Sequence, residues 1–277
     1  MDKSAHPLSK NPSKYFGSIK CSTALSKSSL PGLDYTINPY YGCEHGCLYC
    51  YVPDVLRKKE LLDSWGYNIY AKENISETLL KQIRTLKPGV VGFSTVTDAY
   101  QPYESKMCLA RTLIDTLLKY NFKISFQTKS SLISRDEDII RGENVEVGFT
   151  ITSLNNEFAQ TFEPYASKPE GRAQALERFS SQGVKTWIFY GPIIPNYNDN
   201  DETIRGIMSL AKRTKSRLLY DKLNLKPILS KRLSENIGND KVSEIIRLVK
   251  EGYMDKVYSK VVKVGREFGV PIEPAFP

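Results

Sequence analysis

Apolar runs short enough for strands alternate with helix-period segments along most of this chain, and that alternation constrains its fold most. GVVGFSTV (89–96), KISFQT (123–128), VEVGFTIT (145–152) and VKTWIFYGPIIP (184–195) each read as a strand, the last running into a Pro-rich loop. Between them, residues 105–120 place Leu109, Leu113 and Leu117 on one helical face. Residues 171–182 present Ala173, Leu176 and Phe179 and stop at Gly183, a residue suited to a left-handed cap. A helix over 201–213, a strand over 217–225 and helices over 239–251 and 253–268 follow. Alternation of this kind predicts parallel βαβ units. The polar or Gly/Pro-bearing loops CEHGC, TDAYQP, TKSS, TSLNNEF and GPIIPNYND all follow strands. In a parallel barrel they would share the face formed by the C-terminal strand ends, where active sites lie.

With 277 residues, 40% of them hydrophobic, the chain can bury one large α/β core or two ordinary ones. Residues 1–33 are Ser- and Lys-rich with little periodicity, which predicts a polar arm, extended or partly mobile. The opening MDKSAHPLSKNPSKYFGSIK lacks the apolar run of a signal peptide, and WIFYGPII is short and broken by Gly191 and Pro192. A soluble, cytoplasmic protein with no membrane partner is expected. The formal charge of +8 is not spread evenly. Nine of the 39 Lys/Arg but only one of the 31 Asp/Glu fall between Arg205 and Arg232, so the rest of the chain, with 30 of each, is neutral. Such a segment suits a polyanion such as DNA or RNA, and equally suits a solvated surface.

Three of the five cysteines lie in NPYYGCEHGCLYCYVPD, spaced Cys43-x3-Cys47-x2-Cys50. An odd, crowded set does not read as a disulfide framework and points to a metal site in a reducing compartment. Structural zinc wants four closed ligands, and His45, between Cys43 and Cys47, would form a cramped chelate ring; catalytic zinc with three protein ligands stays open as an alternative. A four-iron, four-sulfur cube explains the count better, because three thiolates leave one iron free for a small molecule. S-adenosylmethionine can chelate that iron through its amino and carboxylate groups, accept an electron and break to a 5′-deoxyadenosyl radical.

Cys-x3-Cys-x2-Cys with an aromatic residue, Tyr49, before the last cysteine resembles the hallmark of radical SAM enzymes. NPYYGCEHGCLYCY, STVTDAYQPYE, FQTKSSLISRDEDI and FTITSLNNEFAQTFEPYASKPEGRAQALERFSSQGV, ending in GPIIPNYND, resemble in order the blocks of the spore photoproduct lyase-like (DNA repair photolyase-like) branch. The resemblance covers roughly residues 36–202. It implies that Cys43, Cys47 and Cys50 ligate the cluster and that Tyr49 contacts the adenine. Thr97 and Asp98 would meet the ammonium of the methionine moiety, and Lys129 its carboxylate. Thr150 matches a serine that hydrogen-bonds the cofactor, and Pro192 would wall the adenine. A low-potential donor such as ferredoxin or flavodoxin is the implied electron source.

The sequence departs from the lyases at one position. There a cysteine precedes the residue matching Thr97 and returns a hydrogen atom to the substrate radical; here it is Val96. Tyr51, after the last cluster cysteine, does match a tyrosine of the proposed radical relay. Cys108, in the first turn of the following helix, is a replacement donor or else a buried structural cysteine. Glu163 and Arg172 read as an ion pair bracing the loop. His6 and His45 are the only histidines, so no histidine acid–base pair is expected, and a Ser-His-Asp hydrolase, which would need its histidine on the rim, is not the expected reading.

The fold expected is therefore an α/β partial (β/α)6 TIM-type barrel of the radical SAM kind over residues 34–232, with a helical C-terminal extension over 233–277 packing on it. The function expected is hydrogen abstraction by a radical SAM enzyme with one [4Fe–4S] cluster. A nucleic acid is the first choice of substrate, though not by the usual thymine-dimer reversal, given Val96. The alternatives are radical modification of RNA, a peptide or a small metabolite, and a non-enzymatic zinc-binding nucleic-acid module.

Overall fold

A computed structural model of the chain describes residues 13–57 and 64–276. Its elements, in order, are β1 (Tyr15–Ile19), β2 (Leu25–Lys27), β3 (Tyr35–Ile37), β4 (Tyr40–Tyr41), α1 (Val52–Leu56), β5 (Asn68–Lys72), α2 (Ile75–Ile83), β6 (Val90–Phe93), α3 (Glu104–Met107) and α4 (Leu109–Lys119). They continue with β7 (Lys123–Thr128), β8 (Val145–Thr150), α5 (Asn156–Phe162), α6 (Pro169–Ser181), β9 (Lys185–Ile193), α7 (Asp201–Arg213), β10 (Arg217–Lys222), α8 (Pro227–Ile237), α9 (Asn239–Lys250), α10 (Tyr253–Phe268) and β11 (Ile272–Pro274). A 3-10 turn spans Ser131–Asp136.

The strands expected after residue 89 all form. β3, β6, β7, β8, β9 and β10 pair as parallel neighbours, giving the partial (β/α)6 barrel. Two edges extend it: β2 adds antiparallel to β3, and β11 adds parallel to β10. The sheet order runs from β11 to β2 without closing. Apolar strand residues such as Val147, Phe149 and Ile188 are fully buried beneath helices that carry Leu113, Leu117, Leu176 and Ile207 inward. The helix ends follow local chemistry. Asn200 caps α7 by accepting from the Thr203 amide at 2.8 Å, and Lys212 and Arg213 sit in the last turn, against the negative end of the helix dipole. Beyond α6, Gly183 takes the left-handed conformation expected of it, with φ +79°.

Three expectations change. The helix read over 105–120 breaks at Cys108, which has φ 52°, because Glu104 turns its side chain onto the next helix and accepts from the amides of Leu109 and Ala110. Within the segment read as an arm, residues 1–12 lie outside the described residues, but Tyr15–Ile19 pairs parallel with β5, which pairs antiparallel with β4. The boundary drawn at residue 232 falls inside α8. Among the described residues no helix is long and apolar enough to cross a membrane.

Candidate active site

The loop after β4 carries the three clustered cysteines, and its backbone is specialised for tight packing. Gly42 has φ +85°, and a Cβ there would lie 2.3 Å from the Asn68 carbonyl oxygen. Gly46 has φ +59° and faces Gly66 so closely that a Cβ on the latter would approach the Gly46 Cα to 2.8 Å. Cys43 packs with Val52 and Trp65; Cys47 packs with Leu48, Tyr49, Phe158 and Phe162; Cys50 borders both groups. All the described cysteines are free thiols.

Burial pushes all three thiols up: Cys43 well above its ordinary value, Cys47 to about 12 against the Lys129 charge, and Cys50 upward against the Arg232 charge. A thiolate there needs strong positive charge beside it, which a metal centre supplies. Among the described residues no three His, Cys, Asp or Glu side chains converge on a point that one ion could fill. Three thiols are one short of the four ligands of a closed zinc site, and match in number a cluster held by three thiolates with one iron open. Among the buried polar side-chain atoms without a partner, Glu44 Oε2 and His45 Nε2 lie in the same loop, Trp65 Nε1 belongs to a ring packed with Cys43, and Arg232 Nη1 to a side chain bonded to the loop; Ser94 Oγ is at the end of β6. A polar cofactor docking beside the cysteines would give such atoms partners.

The loop after β6 holds the cysteine loop from below. Thr97 Oγ1 donates to the Gly42 carbonyl at 2.6 Å, Gln101 Oε1 accepts from the Glu44 amide at 2.6 Å, and the Val96 amide donates to Asn38 Oδ1 at 3.0 Å. Asp98 sits at the centre. Its Oδ1 accepts from the Tyr100 amide at 2.9 Å and Thr128 Oγ1 at 2.8 Å, while Oδ2 accepts from the Lys129 amide at 2.9 Å and lies 3.4 Å from His45 Nδ1. Burial opposes its ionisation, yet His45 and these hydrogen bonds hold its pKa down at about 2. The carboxylate thus braces two loops, at the strand end where the resemblance puts a partner for the ammonium of the cofactor.

Lys129 follows β7, with Nζ 5.5 Å from the centre of the Tyr49 ring. Burial works against its charge, but Cys47, Glu163, Cys50 and Asp98 hold its pKa above the ordinary lysine value. Among the described residues it has no ion-pair partner within 4 Å, which leaves the ammonium available to an anionic ligand. Tyr49 Oη donates to Glu163, whose carboxylate also accepts from Thr152 Oγ1 at 2.6 Å and pairs with the fully buried Arg172, as expected of an ion pair bracing the loop. Arg172 Nη1 donates in turn to the Thr150 carbonyl at 2.9 Å. The Thr150 hydroxyl accepts from Gln127 Nε2 at 3.2 Å. Pro192, cis to Gly191, closes the end of β9.

Tyr51 is 48% exposed and donates to the Thr95 carbonyl at 2.9 Å, linking the two loops. Val96 packs against Cys43, Val52 and Trp65, so an apolar side chain stands beside the cysteine loop. Cys108 is exposed, against the expectation of burial. Its sulfur neighbours Arg135 Nη1 at 3.6 Å and the Ser105 carbonyl, neither of them in the cysteine loop. Its left-handed backbone turns it out of the helix that would have buried it.

The basic segment does not form one surface. Arg213 ends α7 and Arg217 opens β10, so both lie at the N-terminal face of the strands, and Lys212 and Lys215 lie with them. Six residues of strand, about 20 Å, separate that face from the cysteine loop. Arg205, Arg213 and Arg217 moreover pair with Asp201 and Glu267, with Glu177, and with Glu146. Arg232 is turned inward. It donates from Nε to the Leu48 carbonyl at 3.0 Å and from Nη2 to the Cys50 carbonyl at 2.5 Å. Nothing in sequence marked Gln101 or Arg232 as parts of the site, since each meets the loop only through tertiary structure.

The radical SAM superfamily model matches residues 37–210. An uncharacterized protein of Methanocaldococcus jannaschii is 31% identical over 210 residues, covering 75% of this chain and 77% of that protein. An uncharacterized protein of Mycobacterium tuberculosis is 26% identical over 202 residues, covering 68% of this chain and 58% of that protein. Among solved structures, a Tyr-to-Phe variant of spore photoproduct lyase superposes with TM-score 0.66 at 15% identity, over 94% of this chain and 81% of the lyase. A doubly substituted lyase with bound AdoMet and dinucleoside spore photoproduct superposes with TM-score 0.61 at 17% identity, over 81% and 66%. The chain thus spans somewhat under two thirds of the mycobacterial protein and of that lyase structure.

Proposed function

The chain belongs to the radical SAM superfamily and is an enzyme with the spore photoproduct lyase-like fold; from that premise we propose that Cys43, Cys47 and Cys50 hold one [4Fe–4S] cluster and that S-adenosylmethionine binds beside it. The observation that carries this reading is the loop itself: three free thiols on one turn, enclosed by two apolar groups at the C-terminal strand ends, with the Lys129 ammonium beside them. Held by these residues, the two groups would supply reductive radical chemistry, with an electron from a low-potential donor such as ferredoxin or flavodoxin.

This chain's own residues do the holding. Lys129 binds the carboxylate of the cofactor as a charged donor. Thr97, Gln101 and Asp98 fix the cysteine loop relative to the strands, so the ligands are positioned before the cofactor arrives. The Glu163–Arg172 pair fixes Tyr49 for contact with the adenine and holds the Thr150 backbone, while Pro192 walls the far side. Ser94, with a buried and unpartnered hydroxyl at the end of β6, joins this set as a cofactor contact.

The substrate proposed is a nucleic acid presented to the same rim, supported by the likeness of fold to a lyase with bound dinucleoside photoproduct. Val96 has no hydrogen to give as a thiol would, so lyase-type quenching at that position is not part of the proposal; Tyr51 is the relay candidate, and Cys108 lies outside the contacts of the loop. A second reading, modification of RNA, a peptide or a small metabolite, is favoured by one observation: the arginines of the basic segment are paired with acids or turned inward. The test is anaerobic turnover with panels of damaged DNA, RNA, peptides and metabolites deuterated at carbon, reading deuterium in the 5′-deoxyadenosine formed or the cofactor recovered. Deuterium taken from DNA supports the first reading; deuterium taken only from RNA, a peptide or a metabolite overturns it in favour of the second.

A further inference from the structure

We propose that Arg232 is a positioning residue for the cluster, acting through its charge beside Cys50; this rests on the reading that Cys43, Cys47 and Cys50 ligate iron. The helix that carries it is pinned to the cysteine loop at two points on one face. Asp54, in the short helix after Cys50, accepts from the Ile228 and Leu229 amides at 3.1 and 3.0 Å and so caps α8. One turn on, Arg232 reaches back to the carbonyls of Leu48 and Cys50. Leu229 and Leu233 fill the space between against Cys47, Leu48 and Tyr49.

Two donor positions of the guanidinium are thus fixed on carbonyls, and planarity fixes the third. Nη1 is shut off from solvent and meets no acceptor, and among the described residues no carboxylate lies within 4 Å of the group. Arg232 is half-buried, and the Asp54 carboxylate acts on its charge only from beyond ion-pair distance, so the enclosed Nη1 is costly unless an anion stands opposite it. Three thiolates on an iron–sulfur cluster are such an anion. A fixed positive charge beside the cluster favours its reduced, more negative state, since net charge and hydrogen bonding set cluster potentials.

The test compares the midpoint potential of the anaerobically reconstituted cluster in wild type, Arg232→Lys, Arg232→Gln and Arg232→Met, with iron content and circular dichroism as controls. The neutral variants are expected to disfavour the reduced cluster about tenfold, a fall of about 59 mV for one electron, and the lysine variant to restore the potential. Neutral variants that fold with the wild-type potential would overturn the inference. If they lose the cluster or the fold, a lysine variant with a cluster at the wild-type potential supports the charge, and one that fails alike overturns it in favour of the fork alone. Wild-type protein that takes up no iron would instead bring down the reading on which the inference rests.

Discussion

Arg213 and Arg232 belong to one basic run of sequence, yet they stand at opposite ends of the barrel and do opposite things. Arg213 is at the lower face, half-exposed and paired with Glu177 at 2.8 Å. Arg232 is at the upper rim, pressed on the cysteine loop with no acid within ion-pair distance among the described residues. A net charge of +8 over a stretch of sequence is therefore no guide to a surface. Strand β10 carries the chain from the lower face back to the rim, so Arg213 and Arg217 stay below while Arg232 ends above, and the acids that neutralise the lower ones come from α6 and β8. Charge held in the low-dielectric rim acts strongly on its neighbours, while charge at the lower face is screened by water and salt.

The difference can be broken most severely at the rim. Replacing any one of Cys43, Cys47 or Cys50 by Ala should abolish both cluster absorbance and cleavage of S-adenosylmethionine, whereas Cys108→Ala should leave both intact; iron analysis and deoxyadenosine assay read the outcome. Next in size, Lys129→Ala should weaken cofactor binding by roughly 10- to 150-fold, the range of a charge-assisted contact worth about 1.5–3 kcal/mol, while the cluster spectrum stays unchanged. Unaltered affinity by calorimetry would mean that the carboxylate goes elsewhere.

Asp98→Asn should act on stability before chemistry. A carboxyl held at about 2 against an ordinary 3.8 contributes about 2 kcal/mol, fully present above pH 4 and lost as the pH falls toward 2. The variant should show a lower denaturant midpoint at pH 7, and its deficit relative to wild type should shrink as the solution is acidified through that window. A deficit independent of pH would contradict the bracing role. The smallest effect belongs to the lower face. Neutralising Lys212, Arg213, Lys215 and Arg217 together should leave cofactor cleavage unchanged and should not flatten the salt dependence of nucleic-acid binding. A slope reduced by about 0.7–0.9 per residue would put the phosphate backbone on that face after all.

Much of this was legible in sequence, for reasons that differ by region. Strands β6 to β10 announce themselves because each is an apolar run ended by a polar loop, and the cysteine spacing is local enough to read directly. Tyr15–Ile19 escaped because it is half-exposed at the edge of a small sheet and lacks an apolar signature. Cys108 was misplaced because helix periodicity does not register a single left-handed residue, and the cause, the capping carboxylate of Glu104, is fully buried. The contacts of Asp98 with Thr128, Lys129 and His45 join separate stretches of the chain, and no local pattern encodes them. Arg232 meets Cys50 across 182 residues of chain, a separation that no local pattern encodes.

The central claim is that the loop from Cys43 to Cys50 is a three-thiolate seat for an iron–sulfur cluster, and metal analysis of anaerobically reconstituted wild-type protein tests it most directly. The account predicts about four irons and four sulfides per chain, a charge-transfer absorbance that bleaches on reduction, and little zinc. Stoichiometric zinc with no bound iron would contradict it.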